Sequence, residues 1–458
     1  MIMRWLSCLL LPALVLAEPV DWLLTARYVV TVDARHQVIE NGAVAVRGDR
    51  IAAVGTRSDL EKRFQPRRRL DRPQAILAPG LINTHTHAPM SLFRGIADDL
   101  RLQDWLEKFI FPAEAKNVTA EFCRWGTRLA VLEMLLGGTT TYTDMYYFEE
   151  TIAAETKAAG MRAVLGQTVI GFPVADAKTP DEALVRAEAF LKAFRNDPLI
   201  TAAVAPHAIY TNSDETLRRS RVLANKYDAP LLIHLSETRR ENDESRAKRL
   251  ASPTQALSAL GLFDGRTVAA HGVWLDDTDL AIIRSKNVGI AHCPSSNMKL
   301  ASGIAPVTKM LSLGINVGLG PDGPAGSNND FNLFEEMDLA AKLAKVATGD
   351  PQSVSARQAF EMATMGGARV LGLEREIGSL EAGKRADLIF VQVGKPHVQP
   401  LYHVESQLVY ASKASDVSDV FVNGRQVVRG GMSLTLNPAE VLAKANAYRQ
   451  AILRSLPQ

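Results

Sequence analysis

Eight short apolar runs, at residues 75–83, 139–143, 162–165, 200–205, 230–233, 267–270, 288–291 and 315–319, constrain the fold of this chain more than any other feature. Helix-like stretches separate them, among them 120–136, 180–194, 214–226 and 332–347. Short apolar runs alternating with helices are the pattern of a parallel sheet with helical crossovers, and eight such units close into a TIM (β/α)8 barrel. That α/β barrel needs about 250 residues. The chain has 458, with 47% hydrophobic and 22% charged residues, so a barrel and an accessory domain can both bury a core.

The flanks have a different rhythm. Residues 22–32 and 42–55 alternate as strands do, with Gly48-Asp49 as a hairpin turn, and the pattern returns at 386–393 and 417–428 with Asn423-Gly424. The two ends therefore predict one small composite β-sandwich domain, 19–76 with 381–432, around a barrel of 77–380. Residues 433–458 hold a closing helix with Pro438 in its first turn. At the N-terminus, Arg4 precedes an apolar stretch at 5–16 and the small-residue site ending at Ala17. Residues 1–17 read as a signal peptide, too short for a stable membrane span. A periplasmic or secreted protein is expected; a mis-assigned start before a cytoplasmic enzyme is the alternative.

Composition removes several classes. Lys and Arg number 52 against 50 Asp and Glu, a net charge of +2, which points to no nucleic acid or other polyanion. The basic run Arg67-Arg68-Arg69 reads as a solvated surface loop. Cys8, Cys123 and Cys293 form no CxxC pair, so neither a cysteine zinc site nor a disulfide framework is supported.

The chemistry lies where the apolar runs end. The first ends in His85-Thr86-His87, the fourth in His207, the fifth in His234, the sixth in His271, the seventh in His292 and the eighth in Asp322. Barrel active sites lie at the C-terminal strand ends, so six strands deliver these groups to one rim. Side chains two apart on a strand share a face, so His85 and His87 can point at one ion. Neutral imidazoles with a carboxylate suit one divalent metal ion, Zn²⁺ or Fe²⁺.

These segments resemble a known family. Pro79-Gly80 leading into His85-Thr86-His87, His234-Leu235-Ser236-Glu237-Thr238, and Gly320-Pro321-Asp322-Gly323 are similar to motifs of the amidohydrolase superfamily, in its deaminase and chlorohydrolase branch. The stretches 293–306, 327–336, 365–373 and 378–389 resemble the 5′-methylthioadenosine/S-adenosylhomocysteine deaminase family more narrowly. The resemblance implies that His85, His87, His234 and Asp322 ligate the metal, that Glu237 is the acid/base residue and that His271 orients the attacking water. Asp322 would share in proton handling and Glu114 would hold ribose hydroxyls. His207 would contact the substrate, and Trp105 would stack on it or pack nearby. His292 would support its neighbours, and Asp144 would either orient a ligand histidine or serve the strand end structurally.

The expected reaction is hydrolytic deamination of an adenine nucleoside of the 5′-methylthioadenosine, S-adenosylhomocysteine or adenosine type, releasing ammonia. Water of lowered pKa attacks the carbon bearing the amine while Glu237 carries a proton to the ring nitrogen. The metal motif equally serves guanine, a pterin, cytosine or an s-triazine. An alternative of another class is a protein that binds metal or nucleoside without turnover. A dinuclear amidase is disfavoured, because Ala205-Pro206-His207 stands where a bridging lysine is needed, and the PCxxC pair of base-flipping deaminases is absent. The family pattern carries an arginine in the third-strand loop. Here the segment Gly166–Phe172 has none, which leaves the particular substrate open. A homo-oligomer is open too, with no interface legible.

Overall fold

The computed structural model describes residues 17–455. The leader read at the N-terminus therefore lies, up to Leu16, outside the described residues. Four strands come first: β1 (Glu18–Val30), β2 (Val38–Arg47), β3 (Arg50–Thr56) and β4 (Phe64–Pro79). Eight follow through the middle: β5 (Leu81–Thr86), β6 (Thr139–Tyr146), β7 (Arg162–Val169), β8 (Ile200–Pro206), β9 (Leu231–Leu235), β10 (Thr267–His271), β11 (Gly289–His292) and β12 (Val317–Leu319). These close into a barrel with every neighbouring pair parallel. The last four are β13 (Leu388–Gln392), β14 (Val417–Val422), β15 (Arg425–Arg429) and β16 (Met432–Ser433).

The terminal strands hydrogen-bond in the order β16-β15-β14-β13-β4-β1-β2-β3. They make one continuous mixed sheet, parallel only between β1 and β4. β4 and β13 lie between β1 and β14, a span of about 14 Å if the sheet were flat. Yet Trp22 of β1 and Phe421 of β14 meet edge-on with ring centres 5.3 Å apart. The sheet has curled over a shared core that includes Leu24, Val44, Leu77, Leu388 and Phe390. The sandwich expected from the two chain ends is built this way, as a folded single sheet. Its turns are those read from sequence: Asn423 (φ 53°) and Gly424 (φ 73°) are both left-handed, as the twist of a two-residue hairpin requires.

Two expectations need correction. Arg67-Arg68-Arg69 is not a loop but lies within β4. Residues 64–70 of that strand pair with β1 alone, since β13 joins only at 75–79. The open edge therefore carries arginines, with Arg67 paired to Asp21 at 3.3 Å and Arg69 to Glu61 at 3.1 Å, a common way to blunt an edge. The first apolar run, moreover, serves two sheets. Ala75–Pro79 belongs to β4, and the barrel starts only at Leu81, beyond Gly80, where any Cβ would stand 2.1 Å from Thr140 Oγ1.

Helices fill the gaps between barrel strands at Ala120–Leu136, Pro180–Ala193, Asp214–Lys226 and Leu333–Thr348. Thr119, Thr179, Ser213 and Asn332 cap them through side-chain oxygens. The closing helix Pro438–Ser455 lies on Ala120–Leu136, with Tyr448 edge-on to Phe122 at 5.7 Å. Barrel and sheet are tied by a buried ion pair. Arg162, at the start of β7, gives Nε–H to Asp387 Oδ2 at 2.8 Å, and Asp387 also accepts the Asn423 N–H at 2.6 Å. Among the described residues no helix is long and apolar enough to cross a membrane.

Candidate active site

The strand ends converge as the sequence implies. The rings of His85, His87, His234 and His271 gather with centre separations of 5.0 to 5.6 Å, and His207 lies 4.7 Å from His234. Asp322 Oδ1 stands 3.3 Å from His85 Nε2 and 3.4 Å from His87 Nε2. The backbone turns sharply to aim these groups inward. Ser236 (φ 48°), His271 (φ 73°) and Asp322 (φ 64°) are all left-handed, a conformation that non-glycine residues adopt at a cost and that clusters at functional sites.

The donor set fits a divalent cation. His87 Nδ1 lies 2.8 Å from the Met145 carbonyl and His234 Nδ1 2.8 Å from the His207 carbonyl. A carbonyl only accepts, so each Nδ1 carries a hydrogen and each Nε2 faces the centre; against burial, Asp322 raises His87 to about 9, a proton that a bound cation would displace. His85 Nε2 is buried there without a hydrogen-bond partner. The ligating atoms of His85, His87 and Asp322 lie within 4.8 Å of one another, as do those of His85, His234 and His271. Burial pushes His85 down to about 4 and His234 well below its usual range, which keeps both free to coordinate. Burial alone would raise Asp322, but the His85 and His87 imidazoles beside its Oδ1 hold it well below the usual carboxylate range. A carboxylate of that kind among inward-facing imidazoles is a seat for positive charge.

Beside this cluster lies Glu237, buried, with Oε2 3.8 Å from His271 Nε2. Burial, and then the charge of Asp322, push it well above the ordinary carboxylic range. His271 is lowered by burial, and its Nδ1 meets Asn297 Oδ1 at 3.1 Å. The cavity in front also holds Glu114, His207, Trp105 and Tyr210. Glu114 is buried, which pushes it up to about 7 against the pull of its hydrogen bonds. It accepts from Tyr146 Oη at 2.6 Å and Tyr147 Oη at 3.5 Å. His207 is pushed down to about 3 by burial. Trp105 gives its indole N–H to the Ala325 carbonyl at 3.0 Å, leaving the ring as a wall. At the third-strand loop, where no arginine stands, Phe172 packs on Phe111 at 5.2 Å.

His292 does not line that cavity. It is buried with Nδ1 unpartnered. Asp144 Oδ1 accepts the Ala88 N–H at 2.5 Å and so grips the backbone next to His87.

Several residues around the site were not singled out from sequence. Ser296 Oγ donates to Asp322 Oδ2 at 2.7 Å, and Asn297 holds His271. The short helix carrying both, Pro294–Lys299, is tied down by buried Glu336, which accepts from Ser295 Oγ and from its N–H at 3.2 Å. Tyr146, which ends β6, and Tyr147, which follows it, hold Glu114. Their place at a strand end was the available signal. Glu336, on a helix 40 residues beyond Ser296, closes the family-like stretch 327–336, but nothing in that stretch points to Ser295 as its partner.

Known proteins resemble the chain throughout. A family described as the amidohydrolase family matches residues 76–427, and an imidazolonepropionase-like composite domain of bacteria matches 42–64, within the terminal sheet. The 5-methylthioadenosine/S-adenosylhomocysteine deaminase of Thermodesulfovibrio yellowstonii is 46% identical over 95% of this chain and 99% of its own length. The 5-methylthioadenosine/S-adenosylhomocysteine deaminase 1 of Syntrophus aciditrophicus is 44% identical over 96% and 99%. The crystal structure of an adenosine deaminase from Xanthomonas campestris with bound zinc superposes with a TM-score of 0.94 at 41% identity, covering 96% of this chain and 100% of that one. With a family match across the whole barrel and close relatives along nearly the full length, this chain belongs to the amidohydrolase family, within its group of 5-methylthioadenosine/S-adenosylhomocysteine deaminase-like proteins.

Proposed function

We propose that this chain is a metal-dependent hydrolytic deaminase of an adenine nucleoside, converting it to the hypoxanthine analogue and ammonia. The observation that carries the reading is the buried Glu237 carboxyl set 3.8 Å from His271 beside the histidine–aspartate cluster. His85, His87, His234 and Asp322 would hold the ion, with zinc favoured by the imidazole-rich donor set and by the zinc in the Xanthomonas relative. When bound, such an ion lowers the pKa of a water to about 7 and supplies hydroxide at neutral pH.

The chain's own groups handle the protons. Glu237, held above its ordinary range, gives a proton to the purine ring nitrogen and makes the amine-bearing carbon electrophilic. His271 uses Nδ1–H on Asn297, so its Nε2 accepts from the attacking water and orients it. Asp322, ionised and steadied by Ser296, would take a proton from the attacking water and pass it to the departing amine, which leaves as ammonia; the oxygen of water stays on the ring carbon, and its remaining proton returns to Glu237 as the carbonyl forms. Glu114, presented by Tyr146 and Tyr147, accepts from the ribose hydroxyls, and His207 and the Trp105 ring border the base and sugar. Phe111 and Phe172 line the neighbouring cavity, where Arg240 and Lys248 are already paired with Glu244 and Arg249 with Asp214. This arrangement favours an apolar 5′ substituent, as in 5′-methylthioadenosine, over an anionic one.

Incubating zinc-loaded protein with 5′-methylthioadenosine, adenosine and S-adenosylhomocysteine, while following adenine absorbance and ammonia, tests the reading. Loss of absorbance with an equal yield of ammonia is expected. No change with any of the three would overturn it. The leader-like N-terminus supports export from the cytoplasm, and sequencing the N-terminus of the mature protein tests that.

A further inference from the structure

Glu241 stands in the first turn of the helix Arg239–Arg249, whose N-cap Thr238 accepts its N–H at 3.2 Å. An acidic side chain there ordinarily faces solvent near the positive end of the helix. This one turns back into the protein and is 5% exposed. Its Oε1 accepts the Ser236 N–H at 3.1 Å and its Oε2 accepts the Glu237 N–H at 2.8 Å. Both donors belong to the turn out of β9, where Ser236 is left-handed at φ 48°.

We propose that Glu241 is a positioning residue for deamination, clamping the backbone of Ser236 and Glu237 so that the Glu237 carboxyl keeps its place against His271. A carboxylate offers two acceptors to two successive N–H groups. An amide offers one, and turns an NH2 against the second donor. Without the clamp the turn is tied only through the Ser236 carbonyl, which accepts from Val273 N–H at 3.1 Å and Trp274 N–H at 2.9 Å; the N–H side of a conformation that its Cβ disfavours is then released, and Glu237 with it. Misplacement of a proton carrier by an ångström is enough to cost about 10²-fold in rate. The inference rests on reading Glu237 as the proton carrier.

The fold also supplies the means of testing it. A second cavity of ≈ 750 Å³, partly lined by Glu241, shares Leu106, Phe111 and Tyr210 with the active-site cavity. A small carboxylate can therefore reach the space vacated in Glu241→Ala. This variant is expected to keep its zinc content and a KM within about threefold of wild type, and to lose kcat by about 10- to 100-fold. Glu241→Gln, which conserves volume, should fall between the two and guards against misfolding of the alanine variant. Added sodium formate should restore kcat severalfold in Glu241→Ala and leave wild type unchanged. Retention of kcat within twofold overturns the proposal, as does a loss matched by loss of zinc and not restored by formate. If wild type deaminates no adenine nucleoside, the functional reading fails. Amide hydrogen exchange in residues 234–238 then decides the clamp alone: faster exchange in Glu241→Ala upholds it, unchanged exchange overturns it.

Discussion

The Nε2 atoms of His87 and His234 face each other at 3.4 Å, although each ring gives its Nδ1–H to a main-chain carbonyl behind it. One positive charge fits between them, either a proton on His87, which, against burial, the Asp322 carboxylate raises to about 9, or a metal ion that would displace it. With Asp322 on the same centre, the site is built to hold positive charge, and the donor set suits a divalent cation in that place.

Metal removal should therefore lower stability as well as abolish turnover. At free zinc 100 times its Kd, the bound ion contributes about 2.7 kcal/mol. Thermal unfolding with and without a chelator measures it, and an unchanged Tm after proven zinc loss counts against the assignment. His234→Ala should behave like the chelated protein.

Glu237→Gln separates the ion from the chemistry. The side chain keeps its volume and loses its transferable proton, so zinc content should stay near wild type while kcat falls by about 10²- to 10⁴-fold. Near-normal kcat in this variant would remove Glu237 from the mechanism.

Glu336 makes stability depend on pH. Burial pushes its carboxyl from the ordinary 4.5 up to about 8, so between those values the folded chain holds a proton that the unfolded chain has released. Stability contributed by this group is full below 4.5 and is lost as pH rises towards 8. Glu336→Gln is neutral throughout. Denaturant unfolding of both proteins across that window should show the variant gaining on wild type with rising pH. A difference independent of pH would contradict the argument.

The Arg162–Asp387 pair joins the barrel to the terminal sheet with side chains 9% and 3% exposed. Arg162→Ala leaves Asp387 buried without its cation and should cost about 3–5 kcal/mol. Replacing both partners by apolar residues should cost less. Equal losses in the single and double variants would show that the tie is not ionic.

Much of this was legible in one dimension because barrels place function at strand ends. Apolar runs and the ionisable residues closing them are local patterns, so His85, His87, His207, His234, His271 and Asp322 could be assigned to one rim before any coordinates. Turn chemistry was local too, as at Asn423-Gly424. The run at 75–83 shows the limit. It looks like one strand, but Gly80 divides it between two sheets, since only close approach to Thr140 reveals where the barrel begins.

The sequence by itself determined the barrel and the rim of ionisable residues, since both are written in residue type at short spacing, while the ligand set and reaction class followed from the resemblance its motifs carry. The tertiary structure alone decided what holds those atoms still. Met145 and His207 fix the imidazole tautomers through carbonyls, which every residue has. Glu336 reaches Ser295 from 41 positions away, Tyr146 reaches Glu114 across 32, and Glu241 reverses its expected direction. Hydrogen bonds to backbone, and contacts between residues distant in the chain, leave no periodicity or motif, so only the packed fold discloses them.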